Sequence, residues 1–221
     1  MSSQLRLSHA YSRHQLSDVA EGLCYLHFCN VIHGDLKGVR GCTTSRSTIV
    51  LTSGQLGILV GDSGHARIAD FGLATVTQNP DSVRSVSGQH GHTVRWAAPE
   101  VLNEGIYSKE ADIFSFAMVM IEVRHRRPTV HRALTDCCFV SIQVFTGAIP
   151  FSQGSSVMAV LAITQGRRPP RPTHLIFTES LWVLMQRCWG QDPQSRPEAS
   201  EVLRVLITPS VSRRFPPSCI R

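Results

Sequence analysis

Two acidic side chains and one lysine stand in short polar strings whose residue types suit proton transfer and cation binding. Asp35 and Lys37 belong to the string HGDLK, and Asp70 opens the string DFG. A third string, APE, occupies residues 98–100. Carboxylates and amines act as proton acceptors and metal ligands in many active sites. Taken singly, each is equally typical of an ordinary loop, so the order of the strings and the elements around them must decide.

The segments around these strings have the patterns of a mostly helical domain. Apolar residues recur at helical spacing before HGDLK and predict a helix that ends near Asn30. Two β-prone runs at 56–60 and 66–70 are separated by a turn-rich connection, which predicts a hairpin close to the HGDLK loop. ADIFSFAMVMIE, from Ala111, is apolar on nearly every face. This run therefore predicts a central helix that is buried on all sides.

Two further helices are predicted toward the end of the chain. The first carries an apolar stripe of Leu181, Leu184, Met185 and Cys188. The second is predicted to open with a capping box, Ser195-Arg196-Pro197-Glu198, with proline in the first turn. Between DFG and APE, the polar composition predicts a long surface segment. The Pro/Ser/Arg-rich residues 207–221 predict a disordered basic tail.

In this order, with a hairpin between the first two strings and a buried helix after the third, the motifs resemble the signature set of protein kinases. HTVRWAAPE and LMQRCWGQDPQSRPEASEVL resemble the tyrosine-kinase-like group, as in its fungal serine/threonine kinases. The resemblance spans roughly residues 15–206. It implies a mainly α (α+β) fold: a kinase-like C-terminal lobe, with a helical bundle around a buried central helix and a small β-hairpin at the catalytic cleft.

The resemblance implies catalytic and cofactor-binding roles for the residues of the first two strings. Asp35 would accept or orient the proton of a substrate hydroxyl, and Lys37 would place positive charge near the transferred phosphoryl group. Asp70 would hold Mg²⁺ against the phosphates of ATP, as part of a cofactor-binding motif with Phe71 and Gly72. Gly72 would let the backbone bend beside the metal site. Lys37, two residues after Asp35, is similar to serine/threonine kinases rather than tyrosine kinases.

Four other residues are implied to be structural. The resemblance pairs Glu100 with Arg196, a bond that ties the activation segment to the last helices. Asp112 would hold the backbone of the catalytic loop, to which His33 belongs. Gly34 replaces the arginine that usually precedes the catalytic aspartate, so control by loop phosphorylation should matter less. Candidate phosphosites, or simply residues of a solvated loop, are Thr75, Thr77, Ser82, Ser85, Ser87 and Thr93.

Two segments lengthen the chain relative to the family pattern, at 39–55 and 123–143. Removing the first restores the family spacing and places Gly57 where active relatives have a metal-binding Asn; with the segment retained, Arg40 stands there. An arginine cannot bind a cation, so that ligand is missing in either version. Each segment begins with Val and ends with Gln, whose codons can carry intron boundaries. We therefore expect both insertions to be translated introns, which are either errors of the gene model or genuinely retained.

Charge and cysteine content narrow the kinds of binding partner and the cellular compartment that we expect for this chain. The net charge is +6, but segments 39–55, 123–143 and 207–221 carry nine arginines against one aspartate, which leaves the rest at −2. We therefore expect no nucleic-acid binding. The seven cysteines form no C-x-x-C pair, which argues against a disulfide framework or zinc ribbon. With no signal-like or membrane-length apolar run, we expect a soluble, cytoplasmic protein.

Two functions remain open. The first is a serine/threonine protein kinase acting on protein substrates with ATP and Mg²⁺. No Gly-rich loop or strand lysine stands in the 221 residues, so residues 1–206 are expected to be a partial kinase domain that lacks its N-terminal lobe and is inactive as a fragment. The second is a pseudokinase or scaffold that binds signalling partners through the lobe surface, which the missing metal-binding Asn favours.

Overall fold

Helices make up most of the described part of the chain. The computed structural model describes residues 3–38, 57–60, 65–76, 93–122, 124–125, 142–143, 149–172 and 178–208. The α-helices in these ranges are α1 (Ser3–Phe28), α2 (Pro99–Glu104), α3 (Lys109–Glu122), α4 (Ser156–Thr164), α5 (Glu179–Cys188) and α6 (Ala199–Ile207). Short 3₁₀ helices span Phe71–Leu73 and Pro193–Ser195. None of the described helices is long and apolar enough to cross a membrane.

The described strands form three small antiparallel pairs. They are β1 (Val31–Ile32), β2 (Ile58–Val60), β3 (Ala66–Ile68), β4 (Thr75–Val76), β5 (Arg124–His125) and β6 (Ile142–Gln143). Strand β1 pairs with β4, β2 with β3, and β5 with β6. The β2–β3 pair confirms the predicted hairpin. Together, a mainly helical chain and small antiparallel pairs confirm the predicted α-rich fold at that level.

Helix α3 forms the centre of the hydrophobic core. From Ile113 to Ile121 every apolar side chain is at most 2% exposed. This confirms the burial predicted from its apolar residues, since a helix that is apolar all round has no face to present to water. Helix α5 packs against α3, and its stripe of Leu181, Leu184, Met185 and Cys188 is buried as predicted.

Helix α1 closes one side of this core. The helix packs against α6 and β3, and its buried residues Leu16, Val19, Ala20 and Leu23 are each at most 2% exposed. The helix ends at Phe28, close to the predicted end, and Asn30 reverses the chain with φ 55°. A left-handed φ of this kind is adopted by Asn more readily than by most residues. The turn delivers the chain directly into β1.

The predicted start of the last helix is wrong. Helix α6 begins at Ala199, and its N-cap Glu198 makes no side-chain capping bond. Ser195 does not cap the helix; its hydroxyl donates to the Asp192 carbonyl at 2.6 Å in the preceding 3₁₀ turn. Arg196 is extended, with φ −78° and ψ 145°, because its guanidinium reaches into the core. This tertiary contact outweighs the local capping pattern.

Several predicted segments lie partly or wholly outside the described residues. Segment 39–55 does so entirely, and 123–143 is described only where its two ends pair as β5 and β6. Helix α6 continues through Ile207, one residue past the predicted domain end, and the tail is not described beyond Thr208. The domain division of the chain therefore stays a prediction.

Candidate active site

The loop that carries Asp35 is fixed to the core by one buried carboxylate. Asp112, 1% exposed, lies in the first turn of α3. Its Oδ2 accepts from the backbone N–H of His33 at 2.8 Å, and its Oδ1 from that of Gly34 at 2.9 Å. The His27 ring lies 3.0 Å from the same Oδ2. Two elements, α1 and α3, thereby hold the loop at its first residues.

Strand pairing then brings the DFG string to the same place. In the β1–β4 pair, Ile32 lies opposite Thr75, so the residue before the loop meets the segment after Gly72. The His33 ring is fully buried, and its Nε2 lies 3.0 Å from the Ala69 carbonyl. The same ring packs edge-on against Phe71 with centroids 5.4 Å apart. Asp70 is thereby held between two residues that contact His33.

Asp35 and Asp70 converge on one ammonium group. Lys37 Nζ donates to Asp35 Oδ2 at 2.5 Å and lies 3.2 Å from Asp70 Oδ2. Asp35 and Lys37 are each 7% exposed. The Asp70 side chain is 24% exposed, although its Oδ2 atom is buried. The three residues form one mostly buried cluster, and the two carboxylates do not face unrelated surfaces.

Beside this cluster, the backbone is left-handed at Asp70 and not at Gly72. Asp70 has φ 63° and ψ 64°, in the left-handed region that costs a non-glycine residue energy. Gly72 does not have a positive φ. The expectation that Gly72 provides the bend is therefore wrong: the turn into the 3₁₀ helix is made two residues earlier, at Asp70. Phe71 is 49% exposed.

A second buried cluster lies away from Asp35. Arg196 donates to Glu100 through both ends of its guanidinium, Nη1 to Oε1 at 2.6 Å and Nη2 to Oε2 at 2.8 Å. Its remaining hydrogens reach the carbonyls of Gly190 at 2.9 Å and Glu110 at 2.9 Å. The side chains are 0% and 9% exposed, respectively. The pair implied by the resemblance is thus present and ties α2 to the segment before α6.

The family model of protein tyrosine and serine/threonine kinases matches residues 2–206. The chain belongs to this family. The resemblance to tyrosine-kinase-like kinases, predicted from the motifs, is confirmed. In this kinase chain, Asp35 and Lys37 lie in the loop that resembles the catalytic loop, and Asp70 opens the motif that resembles the metal-binding one. The roles of the individual residues are taken up below as proposals.

Curated relatives are similar over most of this chain. Serine/threonine-protein kinase STY17 of Arabidopsis thaliana is 31% identical over 86% of this chain and 26% of its own length. Probable serine/threonine-protein kinase drkD of Dictyostelium discoideum is 31% identical over 86% of this chain and 11% of its own length. Serine/threonine/tyrosine-protein kinase HT1 of Arabidopsis thaliana is 28% identical over 86% of this chain and 37% of its own length. The kinase chain therefore spans less than two fifths of each of these relatives.

The residues at the kinase motif fit a single divalent cation. Lys37 lies within ion-pair distance of Asp70 Oδ2, but its geometry does not make a hydrogen bond, and this oxygen is buried without a hydrogen-bond partner within the described residues. A buried carboxylate oxygen without a donor is costly. Carboxylate oxygen is also the ligand that Mg²⁺ prefers. Asp70 is thus suited to hold Mg²⁺.

A second protein ligand for a metal is not provided at Gly57. The structure places Gly57 against Lys37, where a Cβ atom would lie 2.7 Å from the Lys37 carbonyl oxygen and 2.9 Å from its nitrogen. Its own carbonyl accepts from the Ala69 N–H at 2.9 Å. Gly57 therefore packs beside Lys37 of the HGDLK loop, and the backbone leaves no space for a side chain there.

Sequence reasoning missed two arginines that join separate segments, the buried Arg95 and the partly buried Arg168. Arg95, just before Trp96, donates to the carbonyls of Pro150, Phe151 and Gly154 at 3.1, 2.5 and 2.7 Å. In the sequence, Arg95 stands out only as part of HTVRWAAPE, the string that carries the family resemblance. Because carbonyl acceptors come from every residue type, sequence gives no signal for such contacts. Arg95 joins the segment before α2 to the start of α4.

Arg168, the second of these arginines, is partly buried. It donates to the Trp189 carbonyl at 2.9 Å and to Gln191 Oε1 at 2.7 Å. Its guanidinium carbon lies 4.9 Å from the Phe114 ring centre, and that of Arg196 lies 5.1 Å from the same ring. Burial, followed by the nearby charge of Arg196, lowers the pKa of Arg168 to about 10. Two cations thus share the electron-rich ring of one core phenylalanine.

The predicted phosphosites are described in part. Thr75 lies in β4 and Thr93 precedes α2, while Thr77, Ser82, Ser85 and Ser87 lie outside the described residues. Thr93 lines a small cavity of about 20 Å³ with Asp35 and Asp112. A space of this size suits one water molecule. The phosphosite assignments stay predictions.

Proposed function

We propose that this chain provides the phosphoryl-transfer face of a serine/threonine protein kinase, which moves the γ-phosphate of ATP to a hydroxyl group of a protein. The observation that supports this most is the convergence of Asp35 and Asp70 on Lys37 Nζ, at 2.5 and 3.2 Å. Family membership gives the reaction class. The serine/threonine subtype rests on the position of Lys37 two residues after Asp35.

Each residue of the cluster has a task in this reaction. The substrate hydroxyl oxygen forms a bond to the γ-phosphorus while the bond from phosphorus to the bridging oxygen of ADP breaks. Asp35 orients the hydroxyl and receives its proton, while Lys37 places its charge beside the transferred group. When bound, Mg²⁺ neutralises charge on the phosphates, and Asp70 would hold it.

The positions of these groups are fixed before a substrate arrives. Asp112 holds the loop backbone, while His33 contacts Ala69 and Phe71 on either side of Asp70. Misplacement of catalytic groups by about 1 Å can cost roughly a hundredfold in rate. We infer that Asp112 and His33 are positioning residues. Glu100 and Arg196 belong to the scaffold that supports the segment between DFG and α3.

A pseudokinase or scaffold is the second candidate, and Gly57 favours it. Active relatives place a metal-binding Asn at the corresponding position, whereas a side chain here would collide with Lys37. With one carboxylate for the metal, the nucleotide phosphates would be less firmly placed. We therefore propose that the chain by itself transfers phosphate slowly or not at all. Under this function, the lobe surface would bind signalling proteins.

A phosphate-transfer assay separates the two candidates. The 221-residue chain is incubated with radiolabelled ATP, Mg²⁺ and a degenerate peptide library that carries Ser, Thr or Tyr. Wild type is compared with Asp35→Asn, which keeps the shape of the side chain but cannot take a proton. Asp192→Asn is the matched control, because Asp192 is exposed and caps a turn away from the cluster.

For this chain, the kinase proposal predicts slow labelling of Ser and Thr peptides and a loss of about 10²–10⁴-fold in Asp35→Asn only, as expected for removal of a general base. The pseudokinase proposal predicts no label with any of the three proteins, together with retained binding of Mg²⁺ and nucleotide. Label that is equal in wild type and Asp35→Asn would contradict the assignment of Asp35. Label on tyrosine alone would contradict the serine/threonine subtype.

A further inference from the structure

A cluster of metal-ligating side chains lies away from the kinase motifs. His14 and Asp18 are one turn apart on α1, and His65 directly precedes β3. The Asp18 Oδ2 atom lies 3.4 Å from His14 Nδ1 and 3.2 Å from His65 Nδ1. One ligand atom from each side chain lies within 4.8 Å of the other two. The three groups therefore surround a common point.

The separations suit a small transition-metal ion. Bonds from Zn²⁺ to histidine nitrogen and carboxylate oxygen are about 2.0–2.2 Å long. Two such ligands at a tetrahedral angle lie roughly 3.3–3.6 Å apart. The two nitrogen-to-oxygen distances are close to this value without rearrangement. Two imidazoles and one carboxylate also favour zinc-like ions over Ca²⁺ or Mg²⁺, which prefer oxygen ligands.

The Asp18 carboxylate is already held in place by β3. The backbone N–H of Ala66 donates to Asp18 Oδ2 at 2.9 Å, and the Asp18 side chain is only 15% exposed. Hydrogen bonds to a ligating carboxylate orient it and are typical of metal sites. The imidazoles of His14 and His65 are 52% and 54% exposed, so an ion can reach them from solvent. Their ring centroids lie 4.6 Å apart.

We propose that His14, Asp18 and His65 bind one zinc-like divalent ion, with water completing the coordination. The ion would join α1 to the β2–β3 hairpin. Since β3 leads to Asp70 two residues after its end, the ion would also brace the strand that supports the kinase motif. The site does not depend on the proposed phosphotransferase activity. Sequence inspection missed it because 47 residues separate Asp18 from His65.

Zinc binding is measured by competition with a chromogenic chelator, using the 221-residue chain in a non-thiol reductant. Wild type is compared with His14→Ala and His65→Ala. The matched control is His174→Ala, which removes one imidazole that is not among the three ligands. The seven cysteines provide the same background in all four proteins. Melting temperatures with and without Zn²⁺ are recorded in parallel, because an ion that binds only the folded state stabilises it.

Loss of a hydrogen-bond partner of a ligand typically costs about 10–100-fold in metal affinity, so loss of a ligand should cost at least about 100-fold. We expect His14→Ala and His65→Ala each to bind one ion fewer than wild type and to lose the zinc-dependent rise in melting temperature. His174→Ala should behave as wild type. Equal stoichiometry and affinity in all four proteins would overturn the proposal. So would a zinc effect that His174→Ala reduces as much as His65→Ala does.

Discussion

Replacement of Glu100 by Gln should destabilise the fold far more than the same change at Glu201. Both glutamates accept from an arginine at closely similar distances, 2.6 Å from Arg196 and 2.7 Å from Arg187. They differ in burial: Glu100 is 9% exposed and Arg196 is 0%, whereas Glu201 and Arg187 are 32% and 46% exposed. The shortest contacts are therefore matched, whereas burial differs and the buried pair has a second hydrogen bond, from Arg196 Nη2 to Glu100 Oε2 at 2.8 Å.

The expected magnitudes follow from this difference. Removing one partner of a buried pair leaves a charge without compensation and costs about 3–5 kcal/mol. The amide oxygen of Gln still accepts one hydrogen bond, so we expect about 3 kcal/mol for Glu100→Gln. An exposed pair contributes about 0–1 kcal/mol because water screens it. At this chain length, the first change should lower the melting temperature by roughly 6–12 °C and the second by a few degrees at most.

Urea unfolding at neutral pH, followed by circular dichroism, measures both variants, and unchanged m-values show that the unfolded states are comparable. A third variant, Glu100→Met with Arg196→Met, removes both charges and should recover much of the lost free energy. Equal midpoints for Glu100→Gln and Glu201→Gln would refute the reasoning. A double variant no more stable than Glu100→Gln would show that the unpaired charge is not the cause.

Three further predictions concern glycines and thiols. Gly57→Ala should cost about 1–3 kcal/mol in urea unfolding, because the new Cβ meets the Lys37 backbone at 2.7 Å; Gly72→Ala, with its nearest neighbour at 3.5 Å, should change stability little. Equal costs would contradict this. At pH 8, iodoacetamide should modify exposed Cys29 well before buried Cys188, whose pKa burial raises to about 12; urea should abolish the difference. The pKa of Cys188 is higher in the folded state than its ordinary value of 9.0. Its buried thiol therefore contributes fully to the free energy of unfolding below pH 9, and this contribution is lost as pH rises toward 12. The stability gap between wild type and Cys188→Ala should therefore narrow from pH 8 to 10, and a constant gap would contradict it.

Patterns that depend on local sequence were predictable. The continuous apolar run of α3 has no polar face, so burial on all sides was the one arrangement compatible with it. The β-prone runs around residues 58 and 67 flank a turn-rich connection, and they pair as expected. The order of the kinase motifs was also sufficient to predict that Asp35 and Asp70 lie in one cluster, because the family fold determines their proximity.

Features that depend on tertiary contacts were not predictable. The pattern from Ser195 to Glu198 resembles a helix cap, but Arg196 is drawn into its pair with Glu100, and the helix begins at Ala199. A backbone bend was expected at Gly72, whereas the left-handed residue is Asp70, where contacts on both sides hold the backbone in a costly conformation.

Contacts across long stretches of chain were equally invisible in sequence. Gly57 packs against Lys37, with segment 39–55 between them. His14 and Asp18 meet His65, which belongs to a different element. Neither pairing leaves a periodic or compositional signal, since the residues that meet are single positions. Their proximity follows from the packing of the β2–β3 hairpin beside the HGDLK loop and α1.

Magnesium-dependent nucleotide binding tests the central claim, that Asp70 completes a cation site beside Asp35 and Lys37. The unfolding free energy of the chain is measured with ATP and Mg²⁺, with ATP and EDTA, and with neither. At a hundred times its dissociation constant, a bound ligand stabilises by about 2.7 kcal/mol. We expect stabilisation in wild type only when Mg²⁺ is present, and none in Asp70→Asn. Stabilisation that persists in EDTA or in Asp70→Asn, or no stabilisation of wild type, would contradict it.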